Sequence, residues 1–236
     1  MEKVKVASAA GRGLRLAGIS CLVIVLGISV YPTAASSADV SQLTERANKG
    51  EAEAQNTLAD MYRKGEGVPK DISKAEKWYR KAADQGMVDA QSTLGKMYHD
   101  GEGVPQNSAE AAKWYRKAGE QGVADAQFTL GKMYRDGEGI PKNNTEAAKW
   151  YRKAAEQDVV EAQATLGLMY ANGQGVPRDY AEAVKWYRKA AEQGDANAQY
   201  GLGVMYNNGF GVDKDGGEAQ KWFRKAAKQG VYGKPR

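Results

Sequence analysis

The sequence predicts an all-α protein: a right-handed superhelical α/α solenoid of five 36-residue helix-turn-helix repeats. Three observations predict it. The five tryptophans, Trp78, Trp114, Trp150, Trp186 and Trp222, stand 36 residues apart, and the chain has no others. Met-Tyr pairs beginning at Met61, Met97, Met133, Met169 and Met205 keep the same step. So do Ala-Gln pairs at Ala54, Ala90, Ala126, Ala162 and Ala198. A fixed period of this size marks stacked supersecondary units, none of which can bury its apolar face alone.

Residues 1–38 read as an export signal. Lys3, Lys5, Arg12 and Arg15 precede the apolar run from Leu16 to Val30, and small residues follow, with Ser36 and Ala38 suited to a signal peptidase that cuts before Asp39. An uncleaved anchor is the second reading, although the run, with two glycines, falls below the roughly 20 residues a bilayer needs. In both readings the basic flank stays inside and the repeats face outward, in the periplasm or the medium. Without the signal the chain keeps 30 basic and 28 acidic residues, so the formal charge falls from +5 to +2. Cys21, the single cysteine, leaves with the signal, which excludes disulfides, metal thiolates and a thiol nucleophile.

Residues 39–50 align with the end of a second helix and form an N-terminal cap. The repeats run 51–86, 87–122, 123–158, 159–194 and 195–230, and 231–236 are a tail. In the first unit Ala54, Gln55, Leu58, Ala59, Met61 and Tyr62 share one arc of a helix, a buried stripe. Position 59 is glycine in the other four copies (Gly95, Gly131, Gly167 and Gly203), which implies close approach between helices. "GEGVPKD" then ends the helix. Asp71, Asn107, Asn143, Asp179 and Asp215 stand where the second helix starts, four of them with Glu three residues on, the pattern of a capping box. Along that helix Ala75, Trp78, Tyr79, Ala82 and Ala83 face inward, while Lys77 and Lys81 point away.

The pattern A-x-A-Q-x-x-L-G-x-M-Y-x-x-G-x-G-V-P-x-D-x-x-x-A-x-K-W-Y-R-K-A-A resembles the Sel-1-like repeat family, a cousin of the tetratricopeptide repeats, over essentially all of residues 40–230. The resemblance implies first helices lining a concave side and a role as adaptor or scaffold, in bacteria often exported. The departures are Ala59 for Gly, Gly119 for Ala, Asp158 for Gly and Asp213 for Pro. A related subgroup with paired cysteines in each repeat has been linked with β-lactam binding. This chain lacks those cysteines, so that activity does not carry over.

Function lies in the letters that change. Positions 56, 60 and 63 of successive copies read Asn56, Asp60, Arg63; Ser92, Lys96, His99; Phe128, Lys132, Arg135; Ala164, Leu168, Ala171; and Tyr200, Val204, Asn207. This stripe is charged and hydrogen-bonding in the first three units and apolar in the last two. It reads as a bipartite groove for a protein or peptide. Lys96, His99, Lys132 and Arg135 would meet a carboxylate-bearing segment, and Phe128, Leu168, Tyr200 and Val204 an apolar anchor. The blander account is drift at exposed positions, against which stand large apolar side chains at Leu168, Tyr200 and Val204 facing water.

Other classes fare worse. The K-W-Y-R-K run resembles a nucleic-acid patch, but its aromatics fall on the buried arc and its lysines pair with Glu110, Glu146, Glu182 and Glu218 at i, i+3. A cell-wall glycan or muropeptide binder would stack sugars on Phe128, Tyr200 and Phe210 and hold carboxylates with Lys96 and Arg135. An enzyme of β-lactam hydrolase type has the least support, since His99 is the only histidine and no nucleophile, base or metal-ligand set recurs. No catalytic residue, cofactor or metal is assigned, and a membrane is met only through the signal if it is uncleaved.

Overall fold

The computed structural model describes residues 37–231 of the chain, with side chains from residue 39. The expected export signal lies outside the described residues except for Ser37 and Ala38, and most of the expected tail lies outside them too. The described residues form helices joined by turns: α1 (Ser37–Asn48), α2 (Ala52–Lys64), α3 (Ile72–Asp84), α4 (Val88–Asp100), α5 (Ser108–Glu120), α6 (Ala124–Asp136), α7 (Asn144–Glu156), α8 (Val160–Asn172), α9 (Tyr180–Glu192), α10 (Ala196–Asn208) and α11 (Gly216–Lys228). The α2/α3, α4/α5, α6/α7, α8/α9 and α10/α11 hairpins stack in chain order, an α/α solenoid. None of these helices is long and apolar enough to cross a membrane.

Each first helix stops the same way. Gly65 takes φ 81°, left-handed, and its N–H closes on the Met61 carbonyl, a conformation without steric cost only for glycine. The second helix starts on a capped turn, with Asp71 accepting from Lys74 N–H and Asn107 from Glu110 N–H. Only half of the expected capping box forms. The N–H of each cap residue donates instead to a tyrosine carbonyl of the preceding helix, as from Asn107 to Tyr98 at 2.8 Å. That leaves Glu110, Glu146, Glu182 and Glu218 free to hold Lys113, Lys149, Lys185 and Lys221.

The glycine of the first helix answers to one ring. A Cβ at Gly131 would lie 2.8 Å from Tyr151 Cδ1, and Gly95, Gly167 and Gly203 meet Tyr115, Tyr187 and Phe223 at 2.7–2.8 Å. Trp114, Trp150, Trp186 and Trp222 are buried, while Trp78, whose hairpin has the single helix α1 before it in place of a whole hairpin, is half-buried. Asp158, standing where other copies have glycine, adopts the same left-handed φ, 62°, and its Oδ1 accepts from Gln163 Nε2 at 3.1 Å.

The glutamines of the stripe, expected only as part of a buried face, fasten the stack. Gln55, Gln91, Gln127, Gln163 and Gln199 are buried. Each Nε2 donates to a carbonyl eight residues earlier, at the end of the previous hairpin: Ala47, Ala83, Gly119, Ala155 and Ala191, at 2.9–3.2 Å. Each Oε1 accepts from the glutamine thirty residues on, Gln85, Gln121, Gln157, Gln193 and Gln229, at 2.7–3.0 Å. One side chain thus joins three consecutive helices. The arginine of K-W-Y-R-K ties the other edge, donating to the tyrosine hydroxyl of the next first helix: Arg80 to Tyr98 at 2.5 Å, Arg116 to Tyr134 at 2.6 Å, Arg188 to Tyr206 at 2.8 Å, and Arg152 to Tyr170. The second lysine of the run lies over the indole three residues before it, 4.0 Å from the centroid for Lys81 on Trp78.

Gly131→Ala tests the close approach. Alanine is the better helix former by about 1 kcal/mol, yet the added methyl should cost more than that against Tyr151 and lower unfolding stability by about 1–2 kcal/mol in chemical denaturation. Beside Tyr151→Leu the same change should cost less.

Candidate functional site

The variable stripe of the first helices borders two clefts. One, of about 550 Å³, lies between α4 and α6 and is lined by Ser92, Lys96, His99, Phe128 and Lys132 of the stripe, with Thr93, Asp100, Asp125, Thr129 and Glu138 around them and Tyr115 on its wall. The other, of about 490 Å³, lies between α8 and α10. Ala164, Leu168, Ala171, Tyr200 and Val204 line it with Thr165, Asn197 and Gly201, and Tyr187 closes one side.

The two clefts differ because the same columns carry different letters. Column 60 places Lys96 and Lys132 on the first and Leu168 and Val204 on the second. Small residues hollow the second: Ala164, Ala171, and Gly201, where other copies have threonine. A Cβ at Gly201 would lie 2.9 Å from Tyr187 Cζ, so this glycine lets the tyrosine ring come forward. Of the three large apolar side chains expected to face water, Leu168 does so, at 48% exposed, whereas Tyr200 and Val204 are half-buried, Tyr200 because its ring packs on Phe223 with centroids 5.4 Å apart.

The stripe is less open than its sequence suggests. In the first unit, Tyr79 donates its hydroxyl to Asp60 Oδ1 at 2.6 Å and accepts from Arg63 Nε at 3.0 Å, and Arg63 also faces Glu102 at 3.7 Å. Asp60 and Arg63 therefore belong to the frame. Asn56 is half-buried, and its Oδ1 has no hydrogen-bond partner among the described residues. Ser92 Oγ turns back to the Val88 carbonyl.

The expected basic set is also divided. Arg135 makes two 2.8 Å bonds to the carboxylate of Asp136, which holds that acid below its usual range. His99 Nδ1 lies 2.7 Å from Asp100 Oδ1 and its Nε2 3.5 Å from Glu138 Oε1. Lys96 and Lys132 remain exposed and make no ion pair among the described residues. Phe128, expected with the apolar anchors, sits in the charged cleft and packs on Tyr151 with centroids 5.7 Å apart.

Residues that periodicity did not single out complete the clefts. The hydroxyls of Thr93, Thr129 and Thr165 make no hydrogen bond among the described residues. The signal was present: threonine recurs at that column in four copies and yields to Gly201 in the fifth. Phe210 stacks on Tyr180, centroids 4.7 Å apart, on the loop edge, and lines neither cleft. The sugar-stacking set of Phe128, Tyr200 and Phe210 is thus not brought together. Ser108 Oγ donates to Glu138 Oε1 at 3.0 Å, so the carboxylate stands between serine and His99, whereas activating a serine requires the imidazole in that place. No cluster of three or more His, Cys, Asp or Glu placed to hold a metal occurs among the described residues.

Stacked helical hairpins with clefts on one helical face define an α-solenoid repeat protein. The chain belongs to the Sel1 repeat family, whose pattern matches residues 52–87, 88–123, 124–159, 160–195 and 196–231. Among solved structures it is similar to the Sel1 repeat protein from Oxalobacter formigenes, 40% identical over 82% of this chain and 80% of that one, with a TM-score of 0.71. It is also similar to c5321, a protective antigen of uropathogenic Escherichia coli with an SLR fold, 43% identical with a TM-score of 0.69. That match covers 81% of this chain but 41% of the antigen, so the chain spans about two fifths of the antigen's length. No curated protein matches the chain.

Burial pushes the hydroxyls of Tyr115, Tyr151 and Tyr187 up to about 12, with Asp100 and Glu138 adding to the effect at Tyr115. The folded state therefore holds these protons more tightly than the unfolded chain, whose tyrosines ionise near 10. The resulting stability is complete below pH 10 and is lost as pH rises towards 12. Denaturation midpoints should stay level to about pH 9 and fall above 10, and Tyr187→Phe should make that fall shallower.

Proposed function

We propose that the chain is an exported, non-catalytic scaffold that holds a protein or peptide segment along the stripe of its first helices. One observation carries this reading: from the second copy onward most residues of the variable stripe line two clefts of different chemistry, while the recurrent alanines, leucines, methionines, glutamines and aromatics build the frame beneath them. Membership of the Sel1 repeat family supports it, since such proteins mediate protein–protein interaction. Contact between the first helices α8 and α10 supports placing these helices on the concave side. Export rests on the basic-apolar leader and fits the relation to a protective antigen. Lys96, Lys132, Phe128, Leu168, Tyr200 and Val204 would make the contacts, the apolar and aromatic ones contributing most.

Site-specific photocrosslinking in the producing cell tests the reading. Probes at positions 132 and 168 should trap one and the same partner, and a probe at Arg188, exposed on α9, should not. The combined change Lys96→Ala, Lys132→Ala and Leu168→Ala should weaken capture at least tenfold. Equal trapping from Arg188, or capture unchanged in the triple variant, would contradict it.

A further inference from the structure

We infer that the occupant of the stripe is an extended segment carrying a carboxylate side chain five or six residues from a bulky apolar one. This deepens the scaffold reading and rests on it. Column 60 crosses four consecutive first helices as Lys96, Lys132, Leu168 and Val204. Two ammonium groups without an ion-pair partner are followed by two apolar side chains, so a segment crossing the helices meets charge first and grease second.

The acids near the lysines do not cancel this order. Asp100 Oδ1 lies 2.7 Å from His99 Nδ1, Glu138 accepts from Ser108, and Asp136, which also feels Lys132, is bonded by Arg135. Asp125 is seven residues before Lys132 on α6, about 10 Å along the helix axis. On α4 and α6 the two side chains of column 60 are both positively charged.

Spacing follows from packing. α8 and α10 touch, and with every first helix spaced as closely as that pair each step of the stack is about 8–10 Å. The middle of the lysine pair is two repeats from the middle of the Leu168–Val204 pair, about 16–20 Å away at that separation. An extended chain advances about 3.3 Å per residue and covers this in five or six residues; a helix, at 1.5 Å, would need about eleven to thirteen. The unbonded hydroxyls of Thr93, Thr129 and Thr165 favour the extended form. An extended backbone brings free N–H and C=O groups to them, whereas a helix has consumed its own.

The test is fluorescence anisotropy of the full chain with labelled serine-rich peptides that carry one Glu and one Phe, in both orders, separated by two, five, six, eight or twelve residues. Binding should be tightest at five or six, at least fivefold over two and twelve, and weaken as salt rises. Lys132→Ala and Leu168→Ala, both at exposed positions, should each abolish the spacing preference. Binding indifferent to spacing, or strongest at twelve, would overturn the inference. If the cellular partner is still trapped from positions 132 and 168 in that event, the scaffold reading stands and only this description of the occupant fails.

Discussion

A glutamine amide in a dry interior must fill both its donor and its acceptor, because each unmade bond costs about 1–3 kcal/mol. Here that demand is met in one arrangement only. The donor of Gln127 requires the Gly119 carbonyl at the end of α5, and its acceptor requires Gln157 at the end of α7. Three helices must therefore arrive together. Apolar packing alone tolerates sliding between helices, since burial has no direction; the amide fixes the register. The ring of Tyr151 seated on Gly131 sets how closely the two helices of one hairpin lie, and the bond from Gln127 to Gly119 sets how that hairpin meets the one before it. The same pair of devices recurs along the stack, down to Gln163 between Ala155 and Gln193.

Because each fastening reaches only the neighbouring hairpin, the opposite arc of the first helix is released from structural duty. Lys96, Lys132, Leu168 and Val204 occupy one column, the first three exposed and Val204 half-buried, and none of their side chains makes a hydrogen bond or ion pair among the described residues. That freedom ends at the N-terminal edge. Ala59 fills the place that glycine keeps open elsewhere, and the Tyr79 hydroxyl recruits Asp60 and Arg63 from the stripe. The stack is thus differentiated from end to end: a fastened first unit, a charged cleft, then an apolar cleft.

The fold was legible because its evidence is periodic. Tryptophan, Met-Tyr and Ala-Gln every 36 residues can mean little other than stacked hairpins, and the Sel1 repeat pattern agrees. Periodicity reports burial, though, and is silent on what a polar atom bonds. Gln55 looked like one more member of a buried face, and Arg80 was an unremarked letter of the K-W-Y-R-K run, until their partners eight and eighteen residues away came into view. The stripe residues could be named from the sequence, but Arg63, His99 and Arg135 could not be separated from Lys96 and Lys132. Their difference rests on Tyr79, Glu102, Asp100, Glu138 and Asp136, and most of those neighbours belong to other helices or to loops.

Excision of one internal repeat, residues 124–159, tests most directly whether each hairpin is held only by its neighbours. The cut joins Val123 to Val160 and offers Gln163 the Gly119 carbonyl in place of that of Ala155. If nearest-neighbour fastening governs the fold, the shortened chain should give a helical circular dichroism spectrum reduced by two helices and should still unfold in a single cooperative transition. A product without cooperative unfolding would show that the stack depends on contacts beyond adjacent repeats, and would contradict the account.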